Sequence, residues 1–215
     1  MGSDGESTEE IIRNHQSHLR AVLRTLEEHR LVASAQKSAF FQKEIEFLGH
    51  VLREGMRKPA PGKVLPIQKW KVPRTITEVR GFLGLTNYFS EYVENYAEFD
   101  AHLMAKVGRE EGKRGSKKKV EWSTSDLESF EELKRRLAQE LALYQPNFEQ
   151  PFILRCDASD FAIGAVLSQI IDGKERPVGF YSRKLTTSQL NWAPKEKEMY
   201  AVVAALLKWS GVINF

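Results

Sequence analysis

The sequence predicts an α+β protein, and three features carry that expectation. Apolar residues recur at helical spacing behind capping pairs in several stretches. Short runs rich in strand-forming residues, one pair joined by Asp172-Gly173, gather toward the C-terminal side. Between these textures lies a Lys- and Gly-rich segment with almost no apolar content.

The first helix is predicted behind Ser7. Ser7 with Glu10 offers a capping box, in which each side chain satisfies an amide at the other's end of the first turn. Ile12, His15, Leu19, Val22, Leu23 and Leu26 then make one stripe. From Glu44 to Leu52 the residues suit a sheet, and Arg53-Glu54-Gly55 supplies a turn, so a β-hairpin is expected there. A short helix is expected through Val64–Trp70 with Pro61 near its first turn, although Pro66 fits a helix interior badly. Thr75 and Glu78 form a second capping box ahead of Val79, Phe82, Leu83 and the Tyr88-Phe89 pair. A further helical stretch is predicted from about Tyr92 to Lys106.

Ser125 with Glu128 starts an amphipathic helix carrying Leu127, Phe130, Leu133, Leu137 and Leu141. Phe152–Asp157, Phe161–Gln169 and Val178–Ser182 read as three strands, the last two joined at Asp172-Gly173. Pro194 then opens a helix at its preferred first position, running to Trp209.

The 215 residues, 41% hydrophobic and 28% charged, are enough for one large domain or two small ones with real cores. A single Cys156 excludes an internal disulfide framework and a Cys-built zinc site, and it fits a reducing compartment. The longest apolar run, Met199–Leu207, is nine residues, too short to cross a bilayer. Acids rather than an apolar stretch follow Met1, so no signal peptide is expected and an intracellular location, cytoplasmic or nuclear, is. The formal net charge of +3 is unevenly spread. Residues 1–105 are neutral, residues 106–120 carry +5, and residues 121–215 carry −2. The basic run is a boundary, and it is either a solvated linker or a nucleic-acid contact.

Asp157 stands where a strand ends, and Glu198 lies on the helix after Pro194. Two acids without His or Cys suit an oxygen-loving ion such as Mg²⁺. Clustered carboxylates of this kind hold paired ions in hydrolysis. An Asp at a strand end is more often a turn-former, and a Glu on a helix more often a solvated side chain. Glu198 shares a face with Ala201, Val202 and Ala205, which makes it a better candidate than Glu196 for a partly buried ligand.

Six segments occur in order: Phe47-Leu48-Gly49-His50, Gly81-Phe82-Leu83-Gly84-Leu85-Thr86-Asn87-Tyr88, Cys156-Asp157-Ala158-Ser159-Asp160, Ile163-Gly164-Ala165-Val166-Leu167-Ser168-Gln169, Tyr181-Ser182-Arg183-Lys184-Leu185, and Glu196-Lys197-Glu198. Together they resemble the Pol polyprotein of gypsy-type long-terminal-repeat retrotransposons, over essentially the whole chain after about Gly5. The resemblance implies three regions. Residues 1–105 would be the end of the reverse-transcriptase palm plus a thumb-like region, residues 106–120 a basic linker, and residues 121–215 a connection helix with the N-terminal part of a ribonuclease-H-like domain. Parent activities would be RNA-directed DNA synthesis and cleavage of RNA in RNA–DNA hybrids.

By the same resemblance, Phe47, Leu48, Gly49 and His50 are similar to a primer grip. Arg80, Gly84 and Tyr88 face the template–primer, with Tyr88 in the core as the alternative. Spacing of i, i+4 and i+8 does put these three on one helix face. Lys117, Lys118 and Lys119 would add basic contacts. Asp157 and Glu198 match the first two ribonuclease-H carboxylates and would coordinate Mg²⁺, with weak or no binding expected from two ligands of a larger set. Where the family has a Tyr-x-Asp-Asp hairpin this sequence reads Met1-Gly2-Ser3-Asp4, so nucleotidyl transfer is not expected of these residues. Hybrid cleavage is not expected either, since the remaining family carboxylates match nothing within residues 1–215. Expected partners are RNA–DNA hybrid or duplex nucleic acid and the remaining Pol segments, with no membrane. The alternative is a noncatalytic interaction protein or an inactive remnant of a retroelement.

Overall fold

A computed structural model describes residues 7–107, 118–139 and 142–213. The chain is α+β and divides into two compact units. One runs to Ile45 and includes Arg53–Gly55; the other holds Glu46–Leu52 and everything from Met56 onward.

The smaller unit is built on α1 (Thr8–Glu28), capped by the Ser7 hydroxyl, which accepts from the Glu10 amide. None of its residues is buried, and Ile11, Ile12, Val22 and Leu23 are exposed. The stripe predicted from the sequence is present on this helix. His15 meets the Phe41 ring edge-on at 4.6 Å.

The strands form two antiparallel sheets. In the first, β1 (Glu44–Phe47), β2 (His50–Arg53), β3 (Met56–Pro59) and β4 (Leu143–Tyr144) lie in that order. The predicted turn at Glu54-Gly55 is there, with Gly55 at φ 68°. A second turn was hidden inside the expected strand: Leu48 and Gly49 both take positive φ, 48° and 78°. Two positive φ values match the right-handed twist of a two-residue hairpin. The short β4, unsigned in the sequence, pairs with β3 through Met56–Tyr144 and Arg57–Leu143.

Helix α2 (Pro61–Gln68) starts at its proline and tolerates Pro66 inside it. Helix α3 spans Ile76–Asn87. A single 3₁₀ turn at Ser90–Tyr92 precedes α4 (Tyr96–Ala105), which therefore starts four residues later than the periodicity suggests. Helix α5 (Thr124–Ala138) starts one capping pair earlier than predicted. Ser123 and Asp126 form its capping box rather than Ser125 and Glu128. The choice is made by tertiary contacts, because Asp126 is buried against His102 Nε2 at 2.9 Å and against Lys106 Nζ. The core joins these helices: Ile67, Val79, Phe82, Tyr92, Leu103, Phe130, Leu133 and Leu143 are all buried together. Phe82 and Phe130 rings lie 4.6 Å apart.

The second sheet has the order β5 (Ile153–Ala158), β6 (Ala162–Ile171), β7 (Lys174–Lys184). Asp172 and Gly173 both take positive φ in the turn between the last two, as their sequence predicts. Helix α6 (Pro194–Lys208) packs one face of this sheet, with Ala201 and Ala204 against Cys156, Ala158 and Ile163. The other face receives the start of α4. Ser182 Oγ accepts from the Ala97 amide at 2.9 Å, and Asp100 pairs with Lys184 Nζ at 2.5 Å. Asn95, in the left-handed region at φ 55°, lies directly over Gly164.

Candidate nucleic-acid interface

Helix α3 is defined by its cap and its two faces. The Thr75 hydroxyl accepts from the Glu78 amide at 3.3 Å, and the Glu78 carboxylate accepts from the Arg74 amide at 2.7 Å. Ile76, Val79, Phe82, Leu83 and Thr86 are buried, which fixes the helix's rotation. Arg80, Gly84 and Tyr88 consequently line the opposite side. Arg80 is half-buried, Gly84 is exposed with open space where a side chain would begin, and Tyr88 is 52% exposed. Tyr88 is thus an outward-facing residue and not a core one.

The Leu48-Gly49 turn is fastened to the end of this helix. Tyr88 Oη donates to the Leu48 carbonyl, and the Gly49 carbonyl accepts from the Ala60 amide at 2.9 Å. A Cβ on Gly49 would lie 3.6 Å from both Lys63 Cγ and Tyr88 Cε1, so the positive φ rather than crowding demands glycine here. The His50 ring lies between two tyrosines, stacked on Tyr88 at 5.3 Å and on Tyr92 at 5.6 Å. Tyr92 Oη is 2.9 Å from His50 Nδ1. Burial holds the His50 pKa below its ordinary 6.5, and the ring nitrogen and the phenol share one hydrogen bond. Burial pushes the Tyr92 phenol up to about 12. Phe47 and Leu48, by contrast, are 58% and 71% exposed. An apolar turn tip therefore projects from a rigid aromatic base.

Tyr92 was placed by periodicity at a helix start, and its pairing with His50 was not foreseen. The i, i+1, i+4 spacing of Tyr88, Phe89 and Tyr92 is the signal that one aromatic cluster forms here. Arg57 and Glu91 complete the base, joined by two bonds of 3.0 Å, with the guanidinium 5.7 Å above the Tyr92 ring.

The end of the basic segment is held against the start of α3. The Ile76 amide donates to the Lys118 carbonyl at 3.2 Å, and the Val120 amide to the Arg74 carbonyl at 3.0 Å. Lys118 and Lys119 are exposed beside that helix start. Lys117 lies outside the described residues.

Asp157 and Glu198 sit on different elements. Leu154, Cys156 and Ala158 turn toward α6, so Arg155 and Asp157 project from the other face of the sheet. Asp157 is exposed and its Oδ1 accepts from the Ala158 amide at 2.8 Å. Glu198, predicted to be partly buried, is exposed in the first turns of α6. Its neighbour Lys197 is 6% exposed and donates to the Asp160 carbonyl at 3.4 Å. The helix rotates to put Lys197 inward because its ammonium tethers the loop after β5. Among the described residues no group of three or more His, Cys, Asp or Glu side chains is placed to hold a metal ion. Two exposed carboxylates on separate elements do not fit the ligand set of a two-ion site. No helix among the described residues is long and apolar enough to cross a membrane.

Residues 122–214 match the RNase H-like domain found in reverse transcriptase. The chain is 35% identical over 196 residues to the retrovirus-related Pol polyprotein from transposon opus of Drosophila melanogaster, covering 89% of this chain and 20% of that protein. It is 35% identical over 200 residues to the Pol polyprotein from transposon gypsy of the same organism, covering 91% and 19%. Over most of its length the chain is similar to a segment of the Pol polyproteins of gypsy and other long-terminal-repeat transposons. It spans a fifth or less of the length of those relatives. Among solved structures, the Pol-type fold matches a foamy viral protease-reverse transcriptase in complex with double-stranded DNA, with a TM-score of 0.76 and 25% identity, over 94% of this chain and 34% of that one. A foamy viral protease-reverse transcriptase in complex with RNA/DNA hybrid matches with a TM-score of 0.73 and 25% identity, over 93% and 26%.

Proposed function

We propose that this Pol segment holds a nucleic-acid duplex, RNA–DNA hybrid foremost, along the outer face of α3 and the Leu48-Gly49 turn. One observation carries the reading: Arg80, Gly84 and Tyr88 share the solvent side of a helix whose end is tied to that turn through Tyr88 and Leu48. Arg80 is suited to a phosphate, and Gly84 lets a backbone approach closely. Tyr88 offers a ring edge to a sugar. Such contacts position a duplex and read its shape rather than its sequence. Lys118 and Lys119 add charge at the start of the same helix. Similarity to reverse transcriptases solved with double-stranded DNA and RNA/DNA hybrid supports the assignment.

In this reading residues 1–105 are the end of a palm with a thumb-like region, 106–120 a basic linker, and 121–215 a connection helix with part of a ribonuclease-H-like domain. The other Pol segments are its natural partners. Asp157 and Glu198 remain the candidate Mg²⁺ ligands of the parent family, but with this donor set no hydrolytic step is assigned to the chain.

Fluorescence anisotropy with labelled RNA–DNA hybrid tests the proposal. Binding should weaken linearly in log–log form as salt rises, because each phosphate contact releases counterions. Arg80→Ala should cut affinity about 5- to 10-fold on every hybrid sequence and lower the salt slope by about one. Absence of binding at low salt overturns the reading.

A further inference from the structure

From Lys58 to Thr77 the sequence holds five cations, Lys58, Lys63, Lys69, Lys71 and Arg74, and no acid. Most of this stretch is α2 and the turn that leads to α3. Two close approaches fix how α2 lies. The point where a Gly49 Cβ would stand is 3.6 Å from Lys63 Cγ, 3.8 Å from Lys63 Cε and 3.6 Å from Tyr88 Cε1. Lys63 and Tyr88 thus share one side of the Leu48-Gly49 turn. Trp70 Cζ2, in turn, is 3.9 Å from the Cβ point of Gly81. Trp70 follows Lys63 by as many residues as Gly81 precedes Tyr88. Helix α2 therefore runs beside α3 in the opposite direction, with Lys63 level with Tyr88 and Trp70 level with Gly81.

Lys69 and Trp70 prolong the last turn of α2, their amides donating to the Leu65 and Ile67 carbonyls at 3.1 Å each. Trp70 turns in on Phe82, with ring centroids 5.9 Å apart. Lys69 and Lys71 on either side of it are exposed, as is Lys63. None of these three lysines has an ion-pair partner among the described residues, whereas Lys106, Arg136, Lys184 and Lys197 each pair with a carboxylate. Glu78, the only acid of α3, is turned back onto the Arg74 amide at 2.7 Å.

We propose that Lys63, Lys69 and Lys71 form a second row of phosphate contacts, so that the face straddles both strands of a duplex. Arg80 stands on one flank, the α2 lysines on the other. Successive helical residues are about 100° apart, so Arg80 lies on the side of α3 away from Gly81 and its Trp70 neighbour. Between the two rows Gly81 and Gly84 are exposed and make a low floor. The rows are separated by about one helix diameter, about 10 Å. That suits the wide, shallow minor groove of an A-form hybrid, with a backbone on each side of it. Lysine meets such phosphates as a flexible point charge. This inference rests on the duplex-holding reading above and adds its substrate class: paired strands in preference to single ones.

The test uses the 215-residue chain and compares a labelled RNA–DNA hybrid with each of its single strands by fluorescence anisotropy. Lys63→Gln/Lys71→Gln should keep the melting curve of the unaltered chain in circular dichroism. It should weaken hybrid binding about 10- to 30-fold at low salt and lower the salt slope by about two. Its loss on either single strand should be about five-fold smaller, because one strand occupies one row. Lys174→Gln/Lys208→Gln removes the same charge from exposed positions on β7 and α6 and should leave hybrid binding unchanged. Unaltered hybrid affinity in Lys63→Gln/Lys71→Gln overturns the second row alone. So does an equal loss on hybrid and single strands, or an equal loss in the Lys174/Lys208 pair, since either would reduce the lysines to general charge. A chain that binds no hybrid at low salt overturns the duplex-holding reading itself, and the second row with it.

Discussion

Tyr92 Oη lies 2.9 Å from His50 Nδ1, across a hairpin and a helix end that are 42 residues apart in sequence. The pair sits under the turn that carries Leu48, so its protonation state bears on whether the candidate interface keeps its shape.

Stability should depend on pH through both partners. Burial lowers the folded His50 pKa below 6.5, so the unfolded chain binds the proton more readily. The contribution is present above pH 6.5 and is lost as pH falls from there through the folded value. Tyr92 resists ionisation up to about 12 against an ordinary 10.0, so its contribution is lost as pH rises between those values. Thermal melts across this range should show both limbs. Tyr92→Phe should shrink the alkaline limb, which the buried Tyr96 phenol, also raised, shares, and cost about 1–2 kcal/mol at neutral pH, by leaving His50 Nδ1 without its partner.

Gly164→Ala should destabilise the packing of α4 on the second sheet. A new Cβ would collide with Asn95 Oδ1, and Asn95 is fixed at the start of α4 by its left-handed backbone. Overpacking of this kind costs about 1–3 kcal/mol. Asn95→Gly removes the colliding atom while keeping the φ. The double variant should therefore recover most of the loss in a denaturant titration.

Much of this architecture was legible because local signals and tertiary contacts agree. The Asp172-Gly173 turn, Pro194 at a helix start and the α1 stripe need no distant partner to form. The parts that were not legible depend on such partners. Phe47-Leu48-Gly49-His50 has no Asn or Asp to announce a turn, and its Leu48 conformation is held by Tyr88, 40 residues away. Ser123/Asp126 and Ser125/Glu128 are equivalent capping signals, and only burial of Asp126 beside Lys106 separates them. The face shared by Arg80, Gly84 and Tyr88 came from the family resemblance, with which the i, i+4, i+8 spacing is consistent. The surroundings of Glu198 were not legible, since periodicity is silent on which neighbour a lysine such as Lys197 will tether.

Asp126→Asn should be among the most destabilising single substitutions. Burial alone would raise this carboxyl's pKa. Bonds from Lys106 and from the Ser123 hydroxyl and amide, the latter two at 2.6 and 2.8 Å, outweigh it and hold the pKa well below the ordinary 3.8. Removing the charge leaves Lys106 without its counter-ion, at a cost of about 3 kcal/mol. The native carboxylate's contribution is complete above pH 3.8 and is lost as pH falls through the folded value. In acid titrations followed by circular dichroism, Asp126→Asn should begin lower and lose less stability on acidification.

Gly84 separates a structural role from a binding one. Nothing lies within 4 Å of a Cβ built there, and its φ is not in the left-handed region. Replacing a mid-helix glycine by alanine at an open position should stabilise α3 by about 0.5–1 kcal/mol. Gly84→Gln should be equally well folded, since the side chain extends into solvent. If duplex backbone approaches this face between Arg80 and Tyr88, the longer side chain obstructs it. The expected result is a raised melting temperature in both variants, with hybrid affinity reduced at least tenfold in Gly84→Gln and less in Gly84→Ala. Unchanged affinity in Gly84→Gln would move the duplex off this face of α3.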